Sequence, residues 1–265
     1  MRIVACLSWW EESPAWLARC VAGVGRFADH LVAVDGAYGH MADSTRYPRS
    51  GGYQVDAIVA AAQGAGIGLT LHQPLGPWLG DEIAKRSFLF KAATLVADPG
   101  EDWLYVVDAD EMMIDVPSTL RDQLEAASAD GFEVAAVEWF ERTIDQPIPG
   151  DDQYADRFWE HLTVRSVQAP MPKFFRADPT LRVERAHYIY VAGPADEPRY
   201  LWGNSTTQVL EPHVAITGMR FEHWSRLRQP ARRRLQKSYY EVRDRLDLET
   251  LRPVELDGIP MVERV

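Results

Sequence analysis

Two aspartates separated by one residue, Asp108 and Asp110, follow directly on the apolar segment 103–107. This segment is aromatic and β-branched without polar alternation, which is typical of a central strand buried on both faces. Open α/β sheets bind ligands beyond the carboxyl ends of their strands, and carboxylates are ligands of hard divalent cations. The pattern therefore predicts a cation site that carries a phosphorylated substrate. The alternative is structural, because aspartates after strands often bond to nearby backbone amides.

Two cations lie near the start of the helix that precedes this strand. The helix is predicted over residues 81–96, with Asp81 as its N-cap. Lys85 and Arg86 then fall in or just after the first turn, where the helix dipole disfavours positive charge. Either an anionic ligand such as a diphosphate offsets this cost, or nearby acids and water neutralise the pair.

Two further carboxylates stand where a ligand could reach them. Asp35 ends the predicted strand 30–34 and can accept a nucleoside N–H or a ribose hydroxyl, with a local bond to the following turn as the alternative. Glu138 shares one face of the predicted strand 132–140 with apolar residues. A carboxylate placed there is costly unless it is paired or functional, so Glu138 is either a candidate base or a satisfied structural acid.

The order of the predicted elements indicates an α/β fold. Strands over residues 2–7, 30–34, 68–72 and 103–107 alternate with helices over 14–22, 55–63 and 81–96. Such alternation is typical of a parallel sheet with helices on its faces. The glycine-containing segment 23–28 follows a helix, so it is interpreted as a helix end and not as a dinucleotide-binding loop. Further predictions are a helix to residue 129, strands over 171–176 and 189–192, and a long helix from Pro230 that braces the body.

Composition limits the partners of the chain. Its 265 residues, 46% of them hydrophobic, suffice for one large domain. The formal net charge of −11 argues against nucleic-acid binding. Two cysteines, Cys6 and Cys20, provide no disulfide framework, and neither a signal peptide nor a membrane span is predicted. We therefore expect a cytoplasmic protein whose partner is a small molecule or another protein.

Several of these segments, in this order, resemble nucleotide-sugar glycosyltransferases of the GT-A fold, in particular the broad family-two-like group. The similar segments are 3–7, 31–36, the Lys85–Arg86 pair, 103–110 and 173–187. The resemblance implies an α/β, Rossmann-like GT-A fold with a mixed, mostly parallel central sheet flanked by helices. The single domain would comprise a nucleotide-sugar-binding half (1–115), an acceptor half (116–229), and a C-terminal helix and tail (230–265).

The resemblance also implies roles for individual residues in donor binding. Asp35 would contact the nucleoside base, and Lys85 or Arg86 the diphosphate. Asp108 would approach the ribose, and Asp110 would bind Mn²⁺ or Mg²⁺.

A later histidine often completes the metal shell in such enzymes. We favour His223 over His213 for this role, with Arg220 and Arg226 nearby in the sequence, and Arg226 would contact the donor. One departure concerns the base: many inverting members have a glutamate after a matched histidine, whereas this chain has His187 followed by Tyr188. Either His187 or Glu138 acts as the base, or the enzyme retains configuration and needs none.

The expected activity is metal-dependent transfer of a sugar from a nucleoside diphosphate sugar, with a uridine nucleotide favoured, to a hydroxyl of a glycan, small molecule or protein. Two alternatives remain at this point. A metal-dependent nucleotidyltransferase would share the nucleotide-binding half. A catalytically inactive nucleotide- or glycan-binding module would lack the base, as Tyr188 allows.

Overall fold

One mixed sheet, with helices on both of its faces, forms the body of the chain. The computed structural model describes residues 1–39, 44–144, 162–167, 170–184, 189–202, 211–224, 251–256 and 259–264, with backbone alone at 142–144, 162–167, 251–256 and 259–264. The helices in these ranges are α1 (Pro14–Val24), α2 (Gly52–Ala65), α3 (Asp81–Ala93) and α4 (Leu120–Ala129).

The strands belong to three sheets. Those of the large sheet are β1 (Ile3–Ser8), β2 (His30–Val34), β3 (Gly68–His72), β4 (Trp103–Asp108), β5 (Glu111–Asp115), β6 (Val134–Ile144), β7 (Leu162–Val167), β8 (Met171–Arg176) and β12 (His213–His223). A small sheet contains β9 (Arg182–Val183), β10 (Tyr190–Ala192) and β11 (Arg199–Trp202). A hairpin consists of β13 (Leu251–Leu256) and β14 (Ile259–Arg264).

The first four strands of the chain lie side by side and parallel, in the order β3-β2-β1-β4. From β1 the chain moves outward to β2 and β3 through α1 and α2, and α3 then returns it to β4 on the other side of β1. Open α/β sheets bind ligands at such a reversal of direction, beyond the carboxyl ends of the strands. Ser8 in β1 is the register partner of Asp108 in β4, so these two residues flank the reversal.

The prediction of a mostly parallel sheet is wrong for the second half. Beyond β4 the order is β8-β6-β12-β5, with β7 also on β6. Only β12 and β6 pair in parallel there, whereas β4–β8, β8–β6, β6–β7 and β12–β5 are antiparallel. A parallel pair needs a long crossover, usually a helix, and in the described part of 116–224 only α4 supplies one.

Both faces of the central strands are covered, which explains their continuous apolar sequences. In β1, Ile3 and Leu7 belong to the core beneath α1, α2 and α4, while Val4 and Cys6 belong to the core beneath α3. Cys6 and Cys20 are buried free thiols. Burial on both faces leaves the strand ends as the places where charged side chains can meet a ligand.

The local predictions agree with the structure except at particular boundaries. β2, β3 and β8 have the predicted bounds, and β4 extends one residue further, to Asp108. The N-cap of α3 is Gly80 and not Asp81, which begins the helix with a left-handed φ of 52°. β5 was not predicted, because it is short and continues the acidic segment after β4. The predicted helix from Pro230 lies outside the described residues.

No helix in the part of the chain that the structure describes is both long and apolar enough to cross a membrane.

The aromatic core between β4 and β8 should contribute strongly to stability. Phe174 is fully buried, and its ring centroid lies 4.8 Å from that of Tyr105 and 6.1 Å from that of Phe27. We expect Phe174→Ala to lower the free energy of unfolding by about 3–5 kcal/mol in urea titrations, because it removes a buried ring and leaves a cavity. Leu75→Ala, at a residue that is 95% exposed, is the control and should change it by less than about 0.5 kcal/mol. Equal stability of the two variants would contradict this packing.

Candidate functional site

The carboxyl end of β4 holds Asp108 in a bidentate ion pair with Arg86 of α3. Nη2 of Arg86 lies 2.7 Å and 2.9 Å from the two carboxylate oxygens, and its Nε donates to Glu82 at 2.8 Å. Burial would raise the pKa of Asp108, but the Arg86 guanidinium and the Lys173 ammonium together outweigh burial and hold that pKa below its usual value. Arg86 therefore orients an ionised Asp108 in this structure, and its predicted contact with a diphosphate stays a prediction.

Lys85 connects the ends of β1 and β2. Its ammonium is buried and donates to the carbonyl oxygens of Trp9, at 2.6 Å, and Gly36, at 2.9 Å. It also lies 5.4 Å from the centre of the Tyr38 ring. These contacts hold the two loops beside the reversal together, while the predicted diphosphate contact of Lys85 stays a prediction.

Asp35 makes the local bonds that were the alternative to ligand binding. The residue is 0% exposed, and its carboxylate accepts the backbone N–H of Gly36 at 2.6 Å. It also accepts the N–H and hydroxyl of Ser50, both at 2.7 Å, and the side-chain amide of Gln73 at 2.9 Å. Four donors match the capacity of a carboxylate. In this conformation Asp35 organises the loops after β2 and β3, and a nucleoside contact would require them to move.

Asp110 lies beside His223 at the end of β12. Its Oδ2 is 3.4 Å from Nε2 of His223, and its carbonyl accepts the N–H of Trp224 at 2.8 Å. The Asp110 side chain is almost fully buried, whereas His223 is 26% exposed. Burial would lower the pKa of His223, but the carboxylates of Asp110, Glu111 and Asp108 together raise it above its ordinary value, with Asp110 contributing most. The structure thus brings together two of the residues predicted for a metal site.

Glu111 and Lys173 form a second ion pair at this edge, which the sequence reasoning missed. Lys173 Nζ donates to Glu111 Oε1 at 2.5 Å, and Glu111 Oε2 accepts the backbone N–H of Asp108 at 3.0 Å. Burial raises the pKa of Glu111 above its ordinary value in spite of the Lys173 ammonium. A signal was present in the sequence, because Lys173 interrupts a short strand of mostly apolar residues.

Four of these residues line one cleft at the carboxyl edge of β4. Its charged or titratable lining consists of Asp108, Glu111, Lys173 and His223, and its aromatic lining of Trp139, Tyr190 and Trp202. The empty space in the cleft is about 480 Å³, including the part open to solvent. Ligand sites combine aromatic and apolar walls with convergent polar groups, and residues of both kinds line this cleft.

The donor atoms of Asp110 and His223 suit a divalent cation better than those of Asp108. Metal–oxygen distances of about 2.1 Å place neighbouring ligands about 3 Å apart, close to the spacing of this pair. Both oxygens of Asp108 already accept hydrogen bonds from Arg86. Among the described residues no group of three or more His, Cys, Asp or Glu side chains is arranged to hold an ion. An ion here would take its remaining ligands from water and phosphate, as Mg²⁺ commonly does.

The structure corrects the expectation that Glu138 is buried among apolar residues. Glu138 is exposed, because it lies just beyond Val137, the last residue of β6 that pairs with β8. The cost of burial that singled it out does not apply, and its role as a base stays a prediction. His187 and Arg226 lie outside the described residues.

Comparison with protein-family models gives no match, and comparison with curated proteins gives none either. The assignment of a function therefore depends on the geometry of the cleft.

The pairing of Asp110 with His223 predicts a measurable titration in the metal-free protein. His223 should titrate above its ordinary pKa of 6.5, and Asp110→Asn should lower that pKa, because it removes the nearest negative charge. Since the folded-state pKa is raised, protonation of His223 adds stability that is complete below the unfolded-state pKa and is lost as the pH rises through the folded-state value.

Chemical shifts of the imidazole, followed by NMR from pH 5 to 9 with a chelator present, measure this pKa. Asp115→Asn is a matched control, since Asp115 lies on the same strand as Glu111 but pairs with Arg220. A pKa of His223 that is the same in wild type and Asp110→Asn would contradict the pairing.

Proposed function

We propose that the chain is a glycosyltransferase that moves a sugar from a nucleoside diphosphate sugar, with a uridine nucleotide favoured, to a hydroxyl acceptor with the help of Mn²⁺ or Mg²⁺. One observation carries the proposal. Asp108 and Asp110 stand at the carboxyl end of a buried central strand, at a reversal of strand order, and beside a histidine and an aromatic-lined cleft.

The four parallel strands β3-β2-β1-β4 support the nucleotide part of this proposal. Their reversal between β1 and β4 is the position at which doubly wound sheets bind nucleotides. We infer that residues 1–115 are the donor half of a GT-A-like domain on this basis. The antiparallel strands that follow close the other side of the cleft, where an acceptor would enter.

The two aspartates would divide the work between them. Asp110 and His223 would hold the cation, whereas Asp108, fixed by Arg86, would contact the donor directly. When bound, the cation would stabilise the negative charge that develops on the leaving diphosphate. A base would add a factor of about 10² to 10⁴ in an inverting reaction, and Glu138 and His187 remain the candidates for it.

The donor preference can be tested by thermal shift with a panel of nucleotides and nucleotide sugars, with and without Mn²⁺. A ligand that binds only the folded state raises the apparent melting temperature by mass action. We expect a uridine diphosphate sugar to raise it more than other nucleotides do, and only when Mn²⁺ is present. No shift with any nucleotide would remove the basis of the proposal.

Product analysis separates the alternative functions. Free nucleoside diphosphate marks glycosyl transfer, whereas pyrophosphate marks nucleotidyl transfer. Donor binding with Mn²⁺ but without transfer or donor hydrolysis would identify an inactive binding module.

Removal of the proposed metal ligand should abolish turnover. Asp110→Asn should lower metal-dependent donor turnover by more than about 100-fold, because even second-shell changes cost 10- to 100-fold at metal sites. Release of nucleoside diphosphate measures this rate across a range of Mn²⁺ concentrations. Asp115→Asn, in an exposed pair with Arg220, is the control and should retain the wild-type rate. Near-wild-type turnover by Asp110→Asn would refute the role of Asp110.

A further inference from the structure

Lys173 is a buried cation that lies in the wall of the proposed cleft. The residue is 4% exposed, lines the cleft, and comes from β8, which runs antiparallel to β4. Phe174 is the register partner of Tyr105, so Lys173 lies one residue closer to the end of β4 that Asp108 occupies. The topology therefore delivers Lys173 to the same edge as the aspartates.

The ammonium has donors to spare for a ligand. A lysine has three N–H donors, and in the described structure Glu111 accepts one of them. Lys173 Nζ also lies 4.8 Å from the centre of the Phe221 ring, which attracts a cation but is no conventional acceptor. Leaving donors of a buried charge without acceptors is costly. An anionic oxygen in the cleft would remove that cost.

The other cations near the reversal direct their donors elsewhere. Arg86 donates to two carboxylates, and Lys85 donates to two backbone carbonyl oxygens. Neither residue is among those that line the cleft, whereas Lys173 is. Burial of an ion pair is seldom favourable on its own, so the Glu111–Lys173 pair is explained better by a ligand than by stability.

We propose that Lys173 binds an anionic oxygen of the substrate, with Glu111 as the residue that positions it. This role rests on the proposed function. Lys173 would then make the contact with the donor diphosphate that the sequence suggested for Lys85 or Arg86. A carboxylate on an acidic acceptor has the same chemistry, and the experiment separates the two sources.

The test uses variants that keep the volume of the side chain and remove its charge. Lys173→Met leaves Glu111 buried without its partner, so the double variant Lys173→Met/Glu111→Gln, which is neutral at both positions, is measured as well. Arg176→Met is the matched control on the same strand, because Arg176 contacts Ser128 and the Trp103 ring and does not line the cleft. Circular dichroism and thermal melting establish which variants fold.

Calorimetric titrations in Mn²⁺ at fixed ionic strength use UDP, pyrophosphate, uridine and glucuronate as probes. We expect the double variant to bind UDP and pyrophosphate about 10- to 100-fold more weakly than wild type, as loss of a hydrogen bond to a charged group predicts. Binding of uridine should be unchanged, and Lys173→Arg should restore part of the affinity. Arg176→Met should bind all four probes as wild type does.

The outcomes distinguish this inference from the proposed function. A loss confined to glucuronate would support Lys173 as the anion contact and assign it to the acceptor. Unchanged affinity of the double variant for every probe that wild type binds would overturn the inference and leave the glycosyltransferase proposal intact. Failure of wild type to bind any of the four probes would overturn both.

Discussion

The burial of β1 and β4 on both faces is the constraint on which the rest of the structure depends. Helices cover each face of these strands, so a charged side chain within them would lose its hydration without gaining a partner. Polar chemistry is therefore confined to the strand ends. The strand order reverses between β1 and β4, and such a reversal leaves a crevice beyond the carboxyl ends of the strands. Asp108 lies at this point.

The charged side chains at this edge form ion pairs whose partners come from different helices and strands. Arg86 of α3 neutralises Asp108 of β4, and Lys173 of β8 neutralises Glu111 of β5. Removing one partner from such a pair leaves an uncompensated buried charge, which costs far more than the intact pair contributes. The pairs therefore fix the relative positions of α3, β4, β5 and β8 around the cleft, and a ligand that bound there would meet side chains that are already oriented.

The sequence allowed prediction of features that depend on neighbouring residues. The parallel strands and their helices have local hydrophobic patterns, and the aspartates at the end of β4 follow from the abrupt end of an apolar segment. The order of the later strands was not predictable in this way, because β8 joins β4 across more than 60 residues. The same holds for the Glu111–Lys173 pair and for the bonds from Ser50 and Gln73 that close around Asp35.

The site also shows why residue type alone does not settle a role. Asp108 and Asp110 are chemically identical and two residues apart, yet one is bound at both oxygens by an arginine and the other lies beside a histidine. A cation that approached Asp108 would lie close to the buried Arg86 guanidinium, whose positive charge would repel it. Near Asp110 the histidine can release its proton and offer a lone pair instead. In the proposed function, the environments of the two carboxylates would therefore separate a donor-facing aspartate from a cation-binding one, although their spacing in the sequence is that of a single motif.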